Sequence, residues 1–313
     1  MKQTMQEFAT GNTTTSTSGI STVQGKYWIQ EILSAAKSKM FFEQFAYVTE
    51  VVPGNKDVEV PIATTNLTFT ATTAEATQRT MTQIDDMNTV TFTPATAKFG
   101  ARVSKDVVRT SQVDIVKWGR EQMVYDAALT IDQAFATAIE AASSPAANLY
   151  GGDATSTATL EAGDVLTTDL IANGIKFLKG NYWYQEPDRP FVLFIAAANE
   201  NALLKDSQFV NAAEYGNNEI VMNGEIGRYL GVKIISTEQT PAHADWGAGS
   251  NIAGHSCFLL KAKISYGIAY GERPFLDFDY KKNEAAYDIY LDMAYQCKTL
   301  QEGAIVMIQV TDA

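Results

Sequence analysis

The sequence predicts an α+β fold, and three observations carry that reading. A Thr-rich stretch alternates apolar and polar residues on both sides of a charged tip, a long segment then repeats at helical spacing, and the second half interleaves short helices with strand-sized apolar runs. No internal repeat and no regular βαβ alternation is visible. The chain has 313 residues, 46% hydrophobic and 19% charged, enough apolar matter for a sizeable core in one or two domains.

Residues Met1 to Ser21 are rich in Thr, Ser and Gly and lack the apolar centre of a secretory signal, so they are expected to form a flexible arm. Trp28, Ile29, Ile32, Leu33 and Ala36, then Met40, Phe41 and Phe45, recur three or four apart and predict a short amphipathic helix. Val52-Pro53-Gly54-Asn55 is a turn. Beyond it Val58, Val60 and Ile62 alternate with polar residues, as do Leu67 and Phe69, and then Val90 and Phe92. This is an extended two-stranded arm with a tip near Gln78 to Asp86, on the order of 50 Å long at about 3.3 Å per residue. Such a hairpin buries no core of its own and needs another surface to lie on.

After Arg109 the period becomes helical: Val113, Val116, Met123, Val124, Ala127, Ile131, Phe135, Ala138 and Ala142 share one broad face. One helix from Ser111 to Ala142, capped by Ser111 or Thr110, would run for about 48 Å. Ser143-Ser144-Pro145 ends it, and a Gly-, Ser- and Thr-rich connector spans Asn148 to Gly163. Next come a helix from Thr168 to Lys179 stopped by Gly180, a strand from Phe191 to Ala197, and a helix from Asn199, its expected cap, to Lys205. Strands are expected at Val232 to Ser236, Ser256 to Lys261, Ile264 to Ala269, Tyr287 to Tyr295 and Ala304 to Val310.

The chemistry-bearing motifs are few. Cys257 and Cys297 form no C-x-x-C pair and are expected to stay reduced. His243-Ala244-Asp245 and His255-Ser256-Cys257 invite nucleophile or metal readings, but no third orienting group is identifiable. Glu272, Asp277 and Asp279 around Arg273-Pro274-Phe275 lack calcium-ligand spacing and are expected to be a solvated acidic face. Tyr182-Trp183-Tyr184 suits an interface anchor or core edge as well as base stacking. No phosphate loop, H-E-x-x-H or G-x-S-x-G occurs, and no cofactor or metal is expected. A formal charge of −12 argues against a sequence-reading nucleic-acid binder. The longest apolar run, Phe191 to Ala198, is far short of the roughly 20 residues that a membrane helix needs, so no membrane partner is expected.

The most specific stretch is Phe209 to Pro241. It reads Phe-Val-Asn-Ala-Ala-Glu-Tyr-Gly, then Asn223-Gly224-Glu225-Ile226-Gly227-Arg228-Tyr229-Leu230-Gly231-Val232-Lys233-Ile234-Ile235-Ser236, and Thr240-Pro241. Gly224 and Gly227 suit positive-φ or close-approach positions before a strand, and Gly231 a tight turn between two short strands. The segment resembles the A-domain signature of Hong Kong 97-like capsid proteins, and the order of arm, hairpin, long helix, mixed domain and closing strand Gly303 to Ile308 resembles that family throughout.

The resemblance implies an N-terminal arm and short helix at 1–50, an extended hairpin (E-loop) at 51–103, and a spine helix and connector (P-domain) at 104–165. It further implies an A-domain at 166–264 and C-terminal strands returning to the P-domain at 265–313. Implied with it are self-assembly into pentamers and hexamers of an icosahedral shell around double-stranded DNA, and no catalytic role. Leu67, Phe69, Val90 and Phe92 are the expected intersubunit contacts; Gly224, Gly227 and Gly231 are expected structural glycines. Expected partners are a separate scaffolding protein, a portal and a decoration protein, with assembly in the host cytoplasm and DNA held without sequence-specific contacts. No cross-linking Lys or Asn can be matched. An encapsulin-like compartment, a hydrolase using Cys257 and His255, and a secreted adhesin are the alternatives.

Overall fold

The structure is a computed structural model. It describes residues 41–63, 87–111, 114–181, 183–206, 228–247 and 251–312. In chain order the strands and helices are β1 (Tyr47–Glu50), β2 (Val58–Ala63), β3 (Met87–Phe92), β4 (Ala95–Ser104), α1 (Lys105–Thr110), α2 (Ile115–Glu140), β5 (Ala147–Tyr150), α3 (Thr168–Gly180), β6 (Phe191–Ile195) and α4 (Ala197–Lys205). Then follow β7 (Arg228–Tyr229), β8 (Val232–Ser236), β9 (Ala242–Trp246), β10 (Ile252–Lys261), β11 (Tyr266–Lys281), β12 (Ala286–Thr299) and β13 (Ile305–Thr311).

Three sheets organise them. A four-stranded sheet has the order β1-β11-β12-β4, a seven-stranded sheet runs β5-β13-β10-β6-β8-β7 with β9 also paired to β10, and β2 and β3 form a sheet of two. The seven-stranded sheet separates two cores. Along β6, Val192 and Phe194 pack with α2 and Phe42, while Phe191, Leu193 and Ile195 pack on the α3 side; Phe258 and Leu260 against Cys257 and Leu259 repeat the division in β10. Burial on both faces explains why these strands read as unbroken apolar runs rather than alternating ones. Gly174 lets α3 approach closely, because a Cβ there would come within 2.6 Å of Leu259 Cδ2.

The long helix is shorter than its periodicity suggests. Ser104 caps α1, accepting from the Val107 N–H, and Ser111 closes α1 instead of opening α2. The cap of α2 is Asp114, whose carboxylate accepts from the Lys117 N–H at 2.9 Å. At 26 residues α2 is about 39 Å long, and only its second half carries the buried stripe Ala127, Ile131, Phe135 and Ile139.

Three other expectations change. Asn199 is not the cap of α4, which starts two residues earlier behind Ala196; it is buried and donates from Nδ2 to Cys257 Sγ at 3.3 Å. β6 and β8 are parallel, with Val192 opposite Lys233, so one crossover through α4 exists after all. β11 continues to Lys281, where exposure on both faces and Pro274 hide the strand from any alternation test. No helix among the described residues is long and apolar enough to cross a membrane.

Candidate functional site

The hairpin root is held by its own chain. β2 and β3 pair antiparallel with Val58 opposite Phe92 and Val60 opposite Val90. Phe92 is fully buried against Ala269 and Leu300, with Val58, Val60 and Val90 packed around it. Polar ties brace it: Lys298 Nζ donates to Thr91 O at 2.8 Å, the Thr93 N–H to Gln296 Oε1 at 2.7 Å, and Gln301 Nε2 to Ala63 O at 2.7 Å. Phe92 is therefore an internal anchor and not an intersubunit contact, because its ring has no surface left to offer. Full burial of such a ring is worth roughly 1.5–3 kcal/mol, one contribution among several to the order of the root. Val90 is half-buried at the same root. Leu67 and Phe69 lie outside the described residues.

A second anchor holds the backbone at Phe41 and Phe42. Asp132 on α2 is 1% exposed and accepts the Phe41 and Phe42 N–H groups at 2.8 and 3.3 Å. Tyr266 donates its hydroxyl to Phe42 O at 2.7 Å, and the Phe42 ring stacks on Phe194 at 4.2 Å. Burial pushes the Asp132 carboxyl up to about 6, the two N–H donors only partly offsetting it. Just beyond, Tyr270 donates to Glu43 at 3.0 Å.

Of the three glycines singled out, Gly224 and Gly227 lie outside the described residues. Gly231 and Leu230 join β7 to β8 with φ of 83° and 48°, the two-residue turn whose twist matches a hairpin. A Cβ on Gly231 would strike the Gln185 amide at 2.7 Å, the same side chain that donates to Gly231 O.

The histidines form pairs that bind elements together. His243 Nε2 lies 2.6 Å from Glu140 Oε1 at the end of α2, and Ser256 Oγ donates to the same oxygen at 2.8 Å. A Ser-His-acid triad needs serine and acid at opposite ring nitrogens, whereas here both meet Nε2. His255 Nδ1 meets Asp312 Oδ1 at 2.6 Å. Cys257 is fully buried, its thiol pushed up to about 12 by desolvation, so the hydrolase reading gains no nucleophile. Burial also raises Cys297, and both thiols are free.

The acidic stretch on β11 is exposed, with Asp279 held by Lys281 at 2.6 Å. Among the described residues no group of three or more His, Cys, Asp or Glu is placed to hold a metal. Trp183 donates to Gly303 O at 3.0 Å and lies 5.4 Å from Lys261 Nζ, a core edge rather than an open stacking platform. Tyr184 is exposed, and Tyr182 lies outside the described residues. The sequence reading missed Asp132, Glu140 and Asp312 as partners. Only Asp132 left a signal, an acid next to Ile131 on an apolar helix stripe.

A rooted hairpin, a long helix beneath a four-stranded sheet and a separate mixed sheet make up the described body of the subunit. The phage capsid protein family matches residues 86–297, more than half of the chain, and the chain belongs to that family. Solved capsid structures share the fold. The capsid of cyanophage Pam1 matches with a TM-score of 0.75 at 14% identity, covering 99% of this chain and 100% of that one. The capsid of cyanophage P-SCSP1u gives 0.72 at 17% identity, with 97% and 100% covered, and that of Ralstonia phage GP4 gives 0.69 at 15%, with 96% and 99% covered. The architecture is thus the Hong Kong 97-like capsid fold. No curated protein matches the chain in sequence.

Proposed function

We propose that the chain is the major capsid subunit of a tailed double-stranded DNA virus, closing as pentamers and hexamers into an icosahedral shell around the genome. The observation that carries this reading is the two-stranded sheet of β2 and β3, rooted on β11 and β12 yet paired with no other strand among the described residues.

In this reading residues 1–50 are the N-terminal arm, 51–103 the hairpin, 104–165 the spine helix and connector, 166–264 the domain near the capsomer axes, and 265–313 the strands returning to the platform. The hairpin lies across an adjacent subunit and presents Leu67 and Phe69 to it, with Val90 at its base. Gly224 and Gly227 serve the turns before β7. A separate scaffolding protein, a portal and a decoration protein complete the particle in the host cytoplasm, and DNA is held without sequence-specific contacts. Negative-stain imaging of the purified full chain is the test. Closed shells or rings of five and six are expected; a stable monomer at all concentrations overturns the proposal.

A further inference from the structure

The two outer edges of the four-stranded sheet differ. β1 covers the edge of β11 only from Gly267 to Tyr270; the remaining edge, Glu272 to Lys281, carries register breaks at Glu272 and Phe275, Pro274, and the charges of Glu272, Arg273, Asp277, Asp279 and Lys281. Bulges, proline and charge are the devices by which an exposed edge avoids pairing. β4, at the opposite side, has none of the first two. Its ten residues pair with β12 in unbroken register from Ala95 opposite Tyr295 to Ser104 opposite Ala286, and among the described residues no strand pairs on its other side.

The backbone direction of β4 follows from one hydrogen bond. The Lys105 N–H donates to Ala285 O at 2.8 Å, one step beyond the last facing pair. Hydrogen-bonded and non-bonded pairs alternate along an antiparallel ladder, so Val103, Ala101, Phe99 and Ala97 turn their N–H and C=O groups to β12. Those of Arg102, Gly100 and Lys98 point away from it, towards the uncovered side.

We infer that β4 is an acceptor edge on which a strand from a second copy of this chain pairs, extending the four-stranded sheet across the subunit boundary. The inference rests on the shell reading above. Charge supports a second copy as occupant: β4 carries Lys98 and no acid, with Arg102 already paired within its own chain, so the edge does not repel a strand of a chain whose formal charge is −12. Arg102 shows how the outer face tolerates a cation. It donates twice to Asp288, at 2.6 and 2.8 Å, holds that carboxyl down at about 2, and also pairs with Glu284. Its side chain is thus drawn onto the sheet face, leaving its backbone at the edge.

Residue-resolved amide exchange on the full chain, dissociated and assembled, reads the alternation directly. In the dissociated subunit Phe99, Ala101 and Val103 should be protected and Lys98, Gly100 and Arg102 not. Assembly should slow the latter three by at least about tenfold and leave the former unchanged. Gly100→Pro should abolish assembly while Gly100→Ala preserves it, since a Cβ at Gly100 meets only ordinary contacts, the nearest being Tyr290 Cδ1 at 3.8 Å, and proline removes only an outward N–H.

Wild-type shells whose three amides still exchange fast would overturn the edge pairing and leave the shell reading intact. Protection already present in the dissociated subunit would mean that the same chain covers the edge, and also overturns it, as would normal assembly of Gly100→Pro. If Gly100→Pro fails to fold, the wild-type exchange pattern decides. Absence of any wild-type assembly sinks the shell reading itself.

Discussion

Asp132 makes the subunit's stability depend on pH in the direction opposite to most carboxylates. Its pKa rises from the ordinary 3.8 to about 6 because the charged form is buried without a cation. Between these values the folded chain binds more protons than the unfolded one, so stability falls as pH rises through that window. A shift of about two units corresponds to roughly 3 kcal/mol, taken as an upper bound. Asp132→Asn removes the titration but not the shape. It keeps one acceptor and sets an amide N–H₂ against either the Phe41 or the Phe42 N–H, costing about 1–3 kcal/mol at every pH. Urea unfolding of wild type and variant from pH 4 to 7.5 isolates this group, since all other carboxylates are common to both. Wild type should exceed the variant by most at pH 4, and the gap should shrink by up to about 3 kcal/mol by pH 7. Parallel curves, or a gap that widens with pH, would show that the buried charge is compensated by something other than these contacts.

The turn between β7 and β8 should respond in opposite senses: Leu230→Asn, which suits φ of 48°, should stabilise by about 0.5–1 kcal/mol, whereas Gly231→Val should cost about 1–3 kcal/mol, both read by urea unfolding. Alkylation in denaturant without reductant should modify both cysteines, whereas in the native subunit Cys257 should be silent; intact mass reports both. Phe92→Ala should cost about 3–5 kcal/mol locally and release the hairpin root, seen as faster amide exchange at β2 and β3 while α2 and β10 keep their protection. Replacing residues 64–86 by a short Gly-Ser turn should leave a cooperatively melting subunit that no longer closes into shells.

The fold was legible where burial imposes a period. The buried half of α2 and the hairpin root of β2 and β3 were visible as spacing, and β6, β8 and β13 as apolar runs. The failures are local choices settled by side-chain competition. Ser111, Thr110 and Asp114 all suit a cap, and the carboxylate of Asp114 won. Asn199 would suit the start of α4, but burial beside Cys257 places it inside the helix. The outer half of β11 is exposed on both faces, so no periodicity marks it.

The candidate site was legible in a different way. Three polar contacts among the described residues join distant parts of the chain: Asp132 to Phe41, His243 to Glu140, His255 to Asp312. Their separations leave no short motif, and each ties elements of the body together. Among the described residues the strand edges left without a partner include those of β4 and of β2–β3, and a backbone edge carries no short residue motif that a sequence could display. A shell subunit therefore reveals itself through the order of its elements. The same logic explains Phe92. A large apolar residue in a Thr-rich arm signals contact, but the first such residue before Thr93 and Pro94 lies close enough to the body to be buried there.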